Sequence, residues 1–220
     1  MVIIEFLGAP CSGKSQISHE LGTLIRESGK SVCEKQYELS HTQKHYKRVI
    51  SKSLKTIKMC LVHPTTSCRL LKKLDSKRCW LNYLDILGTT TNDDILIFEQ
   101  GLCQCIGSLF DNKKPDEATI RNLLDEILPE QADRILVYVS IDKSVLSDRM
   151  ALRDDKPFYL DSDDVSTAID HSINTVEILR DCWRAKYGEQ YLITVSNNDN
   201  NQSIEAAIKV FDTLKEKGKI

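Results

Sequence analysis

The chain has 220 residues, 41% of them hydrophobic and 28% charged, with a formal net charge of −2. That is the composition of a globular protein with room for one large domain or a domain with an insert. The charge balance gives the molecule as a whole no reason to seek nucleic acid or an anionic membrane, and no apolar run approaches the ~20 residues of a bilayer-spanning helix.

Five runs read as strands. "VIIEFL" (Val2–Leu7) opens the chain, followed by "SVCEK" (Ser31–Lys35), "DILIFE" (Asp94–Glu99), "RILVYVS" (Arg134–Ser140) and "YLITVS" (Tyr191–Ser196). Several show little apolar–polar alternation, as expected of strands covered on both faces. Between them lie segments of helical spacing. "SQISHELGTLIRESG" puts Ile17, Leu21, Leu24 and Ile25 on one side and ends at Gly29, a C-cap residue. "PDEATIRNLLDEIL" starts with proline and acids, which suit a helix N-terminus. "NQSIEAAIKVFDTLKEKG" is an amphipathic helix closing at Gly218. Strands alternating with helices predict an α/β fold, a parallel sheet with helices on both faces. The segment at about 40–88 is too long for one crossover. It reads as a helical insert within a single domain spanning 1–220, and it is strongly basic, with Lys44, Lys47 and Arg48 nearest the second strand.

The first turn carries the most specific signal. Gly8-Ala9-Pro10-Cys11-Ser12-Gly13-Lys14-Ser15 fits the phosphate-loop pattern, and it follows a strand and precedes a helix, the context that pattern requires. Glycines let main-chain N–H groups curl toward an anion. The helix behind them offers unpaired N–H groups and about half a positive charge. Lys14 can reach the outer phosphates as a mobile point charge. The Ser15 hydroxyl can ligate Mg²⁺ between two phosphates. Glu99, at the C-terminal edge of the third strand, falls where open α/β sheets bind ligands. After the second strand, Glu34 and Glu38 are both placed to act as a base, and Glu38, beyond the strand end, projects more readily into a cleft. Arg149 and Arg153 are spaced i, i+4 and share a helical face, from which guanidinium groups can bind phosphate oxygens or pair with nearby aspartates.

The loop resembles those of the small P-loop kinases: adenylate kinase, thymidylate kinase, deoxynucleoside kinases and their relatives. The resemblance covers nearly the whole chain as an order of elements. It implies a three-layer fold with a five-stranded parallel sheet, a helical acceptor-binding insert and a lid at about 153–163. It implies ATP and Mg²⁺ on Gly8–Ser15, with Ser15 and Glu99 supporting the metal. It also implies Lys14, Glu99, Arg149, Arg153 and Glu38 as catalytic residues. By the same resemblance "SNNDN", after the last strand, lies near the adenine or ribose. Gln100 stands where relatives often carry arginine, which argues against a standard monophosphate kinase. Nucleoside, nucleotide and sugar-like acceptors remain open, including anionic ones.

Two alternatives compete with a small-molecule kinase. One is a nucleotide-binding regulatory module with little turnover. The sequence contains no Asn-Lys-x-Asp, the guanine-reading tetrapeptide, so ATP is the expected nucleotide. The other is a polynucleotide 5′-end kinase, which the basic insert invites. A homodimer is compatible with either. "HTQKH" (His41–His45) lacks the glutamate of a zinc protease. The eight cysteines form no Cys-x-x-Cys pair. With no basic leader at the N-terminus, the expected compartment is the cytoplasm, with the thiols reduced.

Overall fold

The computed structural model describes residues 1–34, 94–110, 115–127, 133–152, 165–199 and 202–220. The strands are β1 (Val2–Gly8), β2 (Val32–Cys33), β3 (Ile95–Phe98), β4 (Arg134–Ser140) and β5 (Leu192–Ser196). They form one sheet in the order β2-β3-β1-β4-β5, with every pairing parallel. The described helices, numbered in chain order, are α1 (Lys14–Glu27), α2 (Leu102–Gly107), α3 (Glu117–Ile127), α4 (Lys143–Ala151), α5 (Val165–Tyr187) and α6 (Gln202–Glu216). The expected insert and lid lie outside the described residues.

The near-continuous apolar strands are covered on both faces, as their patterning predicts. Ile4 and Phe6 of β1, with Ile95, Ile97, Ile135, Val137 and Ile193, pack under α1 and α6 through Ile17, Leu21, Ile25, Ala207, Val210 and Leu214. Ile3 and Leu7, with Leu96, Phe98, Leu136 and Tyr138, pack on the other side against α2, α3 and α5 through Cys103, Ile106, Leu123, Leu179 and Trp183. Helix α1 ends where the sequence places it: Gly29 has φ +85° and its N–H donates to the Arg26 carbonyl at 2.9 Å.

One charged residue of β1 faces the second layer. Glu5 is completely buried, and Arg134 at the start of β4 donates to its Oε1 at 2.5 Å. The Leu102 N–H donates to Oε2 at 2.9 Å, and the Cys103 N–H also bonds this carboxylate. The carboxylate thus serves the first turn of α2, a six-residue helix with no charged side chain of its own. A Cβ on Gly101 would stand 2.2 Å from Glu5 Oε2, so only glycine lets the two segments approach this closely. Burial pushes the Glu5 carboxyl up, against the opposing pull of Arg134 and the two amides.

The sequence leads to an expectation of reduced thiols; Cys103 and Cys182 are free. Cys105 departs from that expectation and is disulfide-bonded. Connectivity of this kind cannot be deduced from cysteine spacing. Among the described residues, no helix is long and apolar enough to cross a membrane.

Because Glu5 and Arg134 neutralise one another in the core, removing one strands the other. Arg134→Ala should cost about 3–5 kcal/mol in chemical denaturation, while Glu5→Gln combined with Arg134→Met, which keeps an oxygen for the α2 amides, should cost far less. Equal losses in the single and double variants would contradict this account.

Candidate functional site

β1 must hand the chain to α1 within five residues, and the backbone shows how. Cys11 has φ +62° and Gly13 has φ +88°. Ser12 N–H closes a turn onto the Ala9 carbonyl at 3.2 Å. Gly13 occupies the N-cap of α1 in the left-handed region and, being glycine, makes no side-chain cap bond. The first turn of α1 also lacks acids. An uncapped N-terminus behind a glycine-rich bend presents its amides and the positive end of its dipole to an anion.

Lys14 lies along this bend. Its Nζ donates to the Gly8 and Ala9 carbonyls, each at 2.8 Å, and reaches Ser12 Oγ at 3.5 Å. Lys14 is 9% exposed, and its ammonium is held on flexible methylenes at the loop, where it can exchange these carbonyls for phosphate oxygens.

Ser15 donates its hydroxyl hydrogen to Glu99 Oε1. The two residues are 84 positions apart, and the parallel β1–β3 pairing brings them together. Glu99 follows the last residue of β3 and is partly exposed. Among the described residues, no cluster of three or more metal-ligating side chains occurs. A hydroxyl and a carboxylate are nonetheless the hard oxygen donors that Mg²⁺ accepts, since it fills its remaining positions with water and substrate phosphates. The pair fits that ion.

Arg149, on α4, brings its Nη1 to 3.9 Å from the position of a Cβ built on Gly13. Among the described residues no carboxylate pairs with it. The salt-bridged helix face that the neighbouring aspartates invite does not form at this arginine. Arg149 therefore presents a partly exposed cation beside the loop. Its helix is seated against the loop by an apolar cluster in which Ala9 meets Leu146, Met150, Ala168 and Ile169, with Cys11 packed at the edge.

Of the two candidate bases, Glu34 is engaged elsewhere. Arg26 donates to its Oε1 at 2.5 Å, His19 Nδ1 lies 3.4 Å from its Oε2, and its carboxylate fills the space a Gly22 side chain would need. Gly22 is eight residues along α1 from Lys14, about 12 Å at the helical rise. Glu34 is thus a partner of the α1 flank, away from the bend. Glu38 and Arg153 lie outside the described residues.

One residue beyond the sequence-predicted set reaches the loop. Asn197, just past β5, donates from Nδ2 to the Ser12 carbonyl at 2.8 Å and is 2% exposed. It falls in "SNNDN", the segment that the resemblance places near the adenine or ribose, and it stands at the C-terminal end of a strand two positions from β1 in the sheet.

No protein-family model matches the chain, and no curated protein matches it in sequence. Solved structures do match in shape. Deoxyadenosine kinase from M. mycoides, with products dCMP and dCDP bound, aligns over 97% of this chain and 100% of its own, at 13% identity and a TM-score of 0.53. Shikimate kinase from Bacteroides thetaiotaomicron aligns over 97% and 98%, at 12% identity and a TM-score of 0.48. A gluconokinase from Sinorhizobium meliloti 1021 aligns over 98% and 97%, at 14% identity and a TM-score of 0.42. At such identities the likeness speaks to fold, and the first of these carries it: the chain has the P-loop kinase fold.

Lys14→Ala removes a charge-assisted contact worth about 1.5–3 kcal/mol. Titration with Mg·ATP should show affinity falling by about 10- to 150-fold. Unchanged affinity would mean that the ammonium does not meet the phosphates.

Proposed function

We propose that the chain is an ATP-dependent, Mg²⁺-requiring phosphotransferase that acts on a small-molecule acceptor, working as one P-loop kinase-like domain in the cytoplasm. The reading is supported by one juxtaposition. The uncapped start of α1, the Lys14 ammonium, the Ser15–Glu99 oxygen pair and the uncommitted Arg149 meet at the C-terminal edge of the sheet. Main-chain amides from Gly8 to Ser15 would bind the β- and γ-phosphates. Lys14 would neutralise charge on the same oxygens. Ser15 and Glu99 would hold Mg²⁺, whose chemistry there is to screen the phosphates and orient the transferred group.

Arg149 would take up the negative charge spread over the transferring group, with Arg153 assisting from the same helical face. Glu38 would accept the acceptor's proton. In such a site catalysis comes mainly from alignment and preorganised charge. The deoxyadenosine kinase likeness supports a small-molecule acceptor. Gln100, in place of an arginine, favours acceptors that need no phosphate clamp at that point, such as a nucleoside or sugar-like hydroxyl.

Incubating the protein with γ-labelled ATP, Mg²⁺ and a metabolite pool should transfer label to one compound. Arg149→Ala should slow that transfer by about 10³-fold or more while ATP affinity changes little. ATP binding with no labelled product across a broad pool would instead support the regulatory-module reading. Label on oligonucleotide 5′ ends, with steep salt dependence, would support the end-kinase reading.

A further inference from the structure

Asn197 stands one position past β5, and its own N–H donates to the Ser140 carbonyl at 3.0 Å. Its main chain is therefore fixed as an extension of the β4–β5 ladder. The Nδ2 hydrogen bond to Ser12 spans 185 positions of sequence. Oδ1, at the other end of the same amide, is buried without a hydrogen-bond partner among the described residues. A core asparagine that served packing alone would be expected to satisfy both ends, because a buried orphan acceptor costs free energy. Here one end is committed to a single main-chain carbonyl in the phosphate loop.

Peptide geometry says what that bond achieves. In a planar trans peptide the C=O and the following N–H point in opposite directions. Holding the Ser12 carbonyl at Asn197 turns the Gly13 N–H away from Asn197. Among the described residues that N–H has no acceptor. The reverse orientation would present a carbonyl dipole where an amide donor is needed and would repel an anion. The contact also adds a second reason for glycine at position 13, where a Cβ would stand 2.0 Å from Asn197 Nδ2. The next residue bonds elsewhere. Asn198 Oδ1 accepts the Asp142 N–H at the start of α4 at 2.8 Å, and its own N–H donates to Gln202 Oε1 at 2.7 Å.

We infer that Asn197 is a positioning residue that locks the Ser12–Gly13 peptide with its carbonyl turned aside and its N–H free for a phosphate oxygen. The inference rests on the proposed reading of this loop as the ATP site and extends it to a residue outside the Gly8–Ser15 pattern.

The test compares Asn197→Ala, Asn197→Asp and the control Asn198→Ala by three readouts: Mg·ATP affinity by calorimetry, thermal melting, and hydrogen exchange of the amides in residues 8–15. Asn197→Ala should melt within a few degrees of the unaltered protein, because it deletes the orphan acceptor along with the donor. Its Kd for Mg·ATP should rise about tenfold or more. Asn197→Asp, which sets an oxygen against the Ser12 carbonyl, should bind more weakly still, and it serves as the test if the alanine variant fails to fold. Asn198→Ala should leave Kd within about twofold, since it makes no contact with the loop. Both Asn197 variants should exchange faster in residues 8–15. A lower melting temperature with an unchanged Kd would make Asn197 a packing residue and overturn the inference, leaving the kinase reading intact. If the unaltered protein binds no Mg·ATP, the kinase reading fails and the exchange readout decides alone. Faster exchange confined to residues 8–15 would then sustain the positioning role, and unchanged exchange would overturn it.

Discussion

A backbone that turns from strand to helix within five residues, with glycine at the N-cap, has few ways to do so. Nearly everything at this sheet edge follows from that constraint. The turn needs positive φ at Cys11 and Gly13. Glycine at the N-cap brings no acidic or hydroxyl side chain to the first amides of α1. Without a cap, the loop is held from outside: by Lys14 on its own carbonyls, by Asn197 on Ser12, and by α4 and α5 packed on Ala9. A loop built to bind with its main chain must borrow its rigidity from other elements.

Two glutamates near this edge show how environment assigns roles to one residue type. Glu5 is sealed in the core, where Arg134 and two amides compensate its charge, and its work is to start α2. Glu99 lies one strand over, past the end of β3, partly exposed and bonded to a hydroxyl. The first arrangement has no room for a ligand. The second leaves carboxylate oxygen available to one, because a serine hydroxyl is a partner that yields to a cation far more cheaply than a buried arginine does.

The strands, the phosphate loop, Glu99 and Arg149 were legible because each rests on local chemistry: an apolar run, a glycine spacing, a carboxylate at a strand end, an arginine on a helix face. The elements that were not legible depend on distant partners. Helix α5 runs for 23 residues, yet Val165, Thr167, Ile169, Ile173, Thr175 and Val176 are β-branched and weaken its intrinsic signal. It is helical because Ile169, Leu179 and Trp183 are buried against the rest of the fold. Helix α2 is too short to show a period, and the carboxylate that bonds its first turn lies 97 positions away. Only its place beyond the strand end set Glu38 ahead of Glu34 in the sequence, because nothing local shows that Arg26 and His19 reach the latter. The segment of Asn197 was singled out by resemblance, but its bond to Ser12 was not legible, since that partner lies 185 positions away.

The apolar seat beneath Ala9 has a consequence for how this protein tolerates change. The phosphate-loop pattern leaves position 9 unspecified, which would mark it as free to vary. In this chain it is 2% exposed and touches the helix that carries Arg149. Volume added there would press on Leu146 and Met150 of α4 and on Ala168 and Ile169 of α5, so an exchange that spares every fixed position of the pattern would still disturb the seat of the helix that carries Arg149.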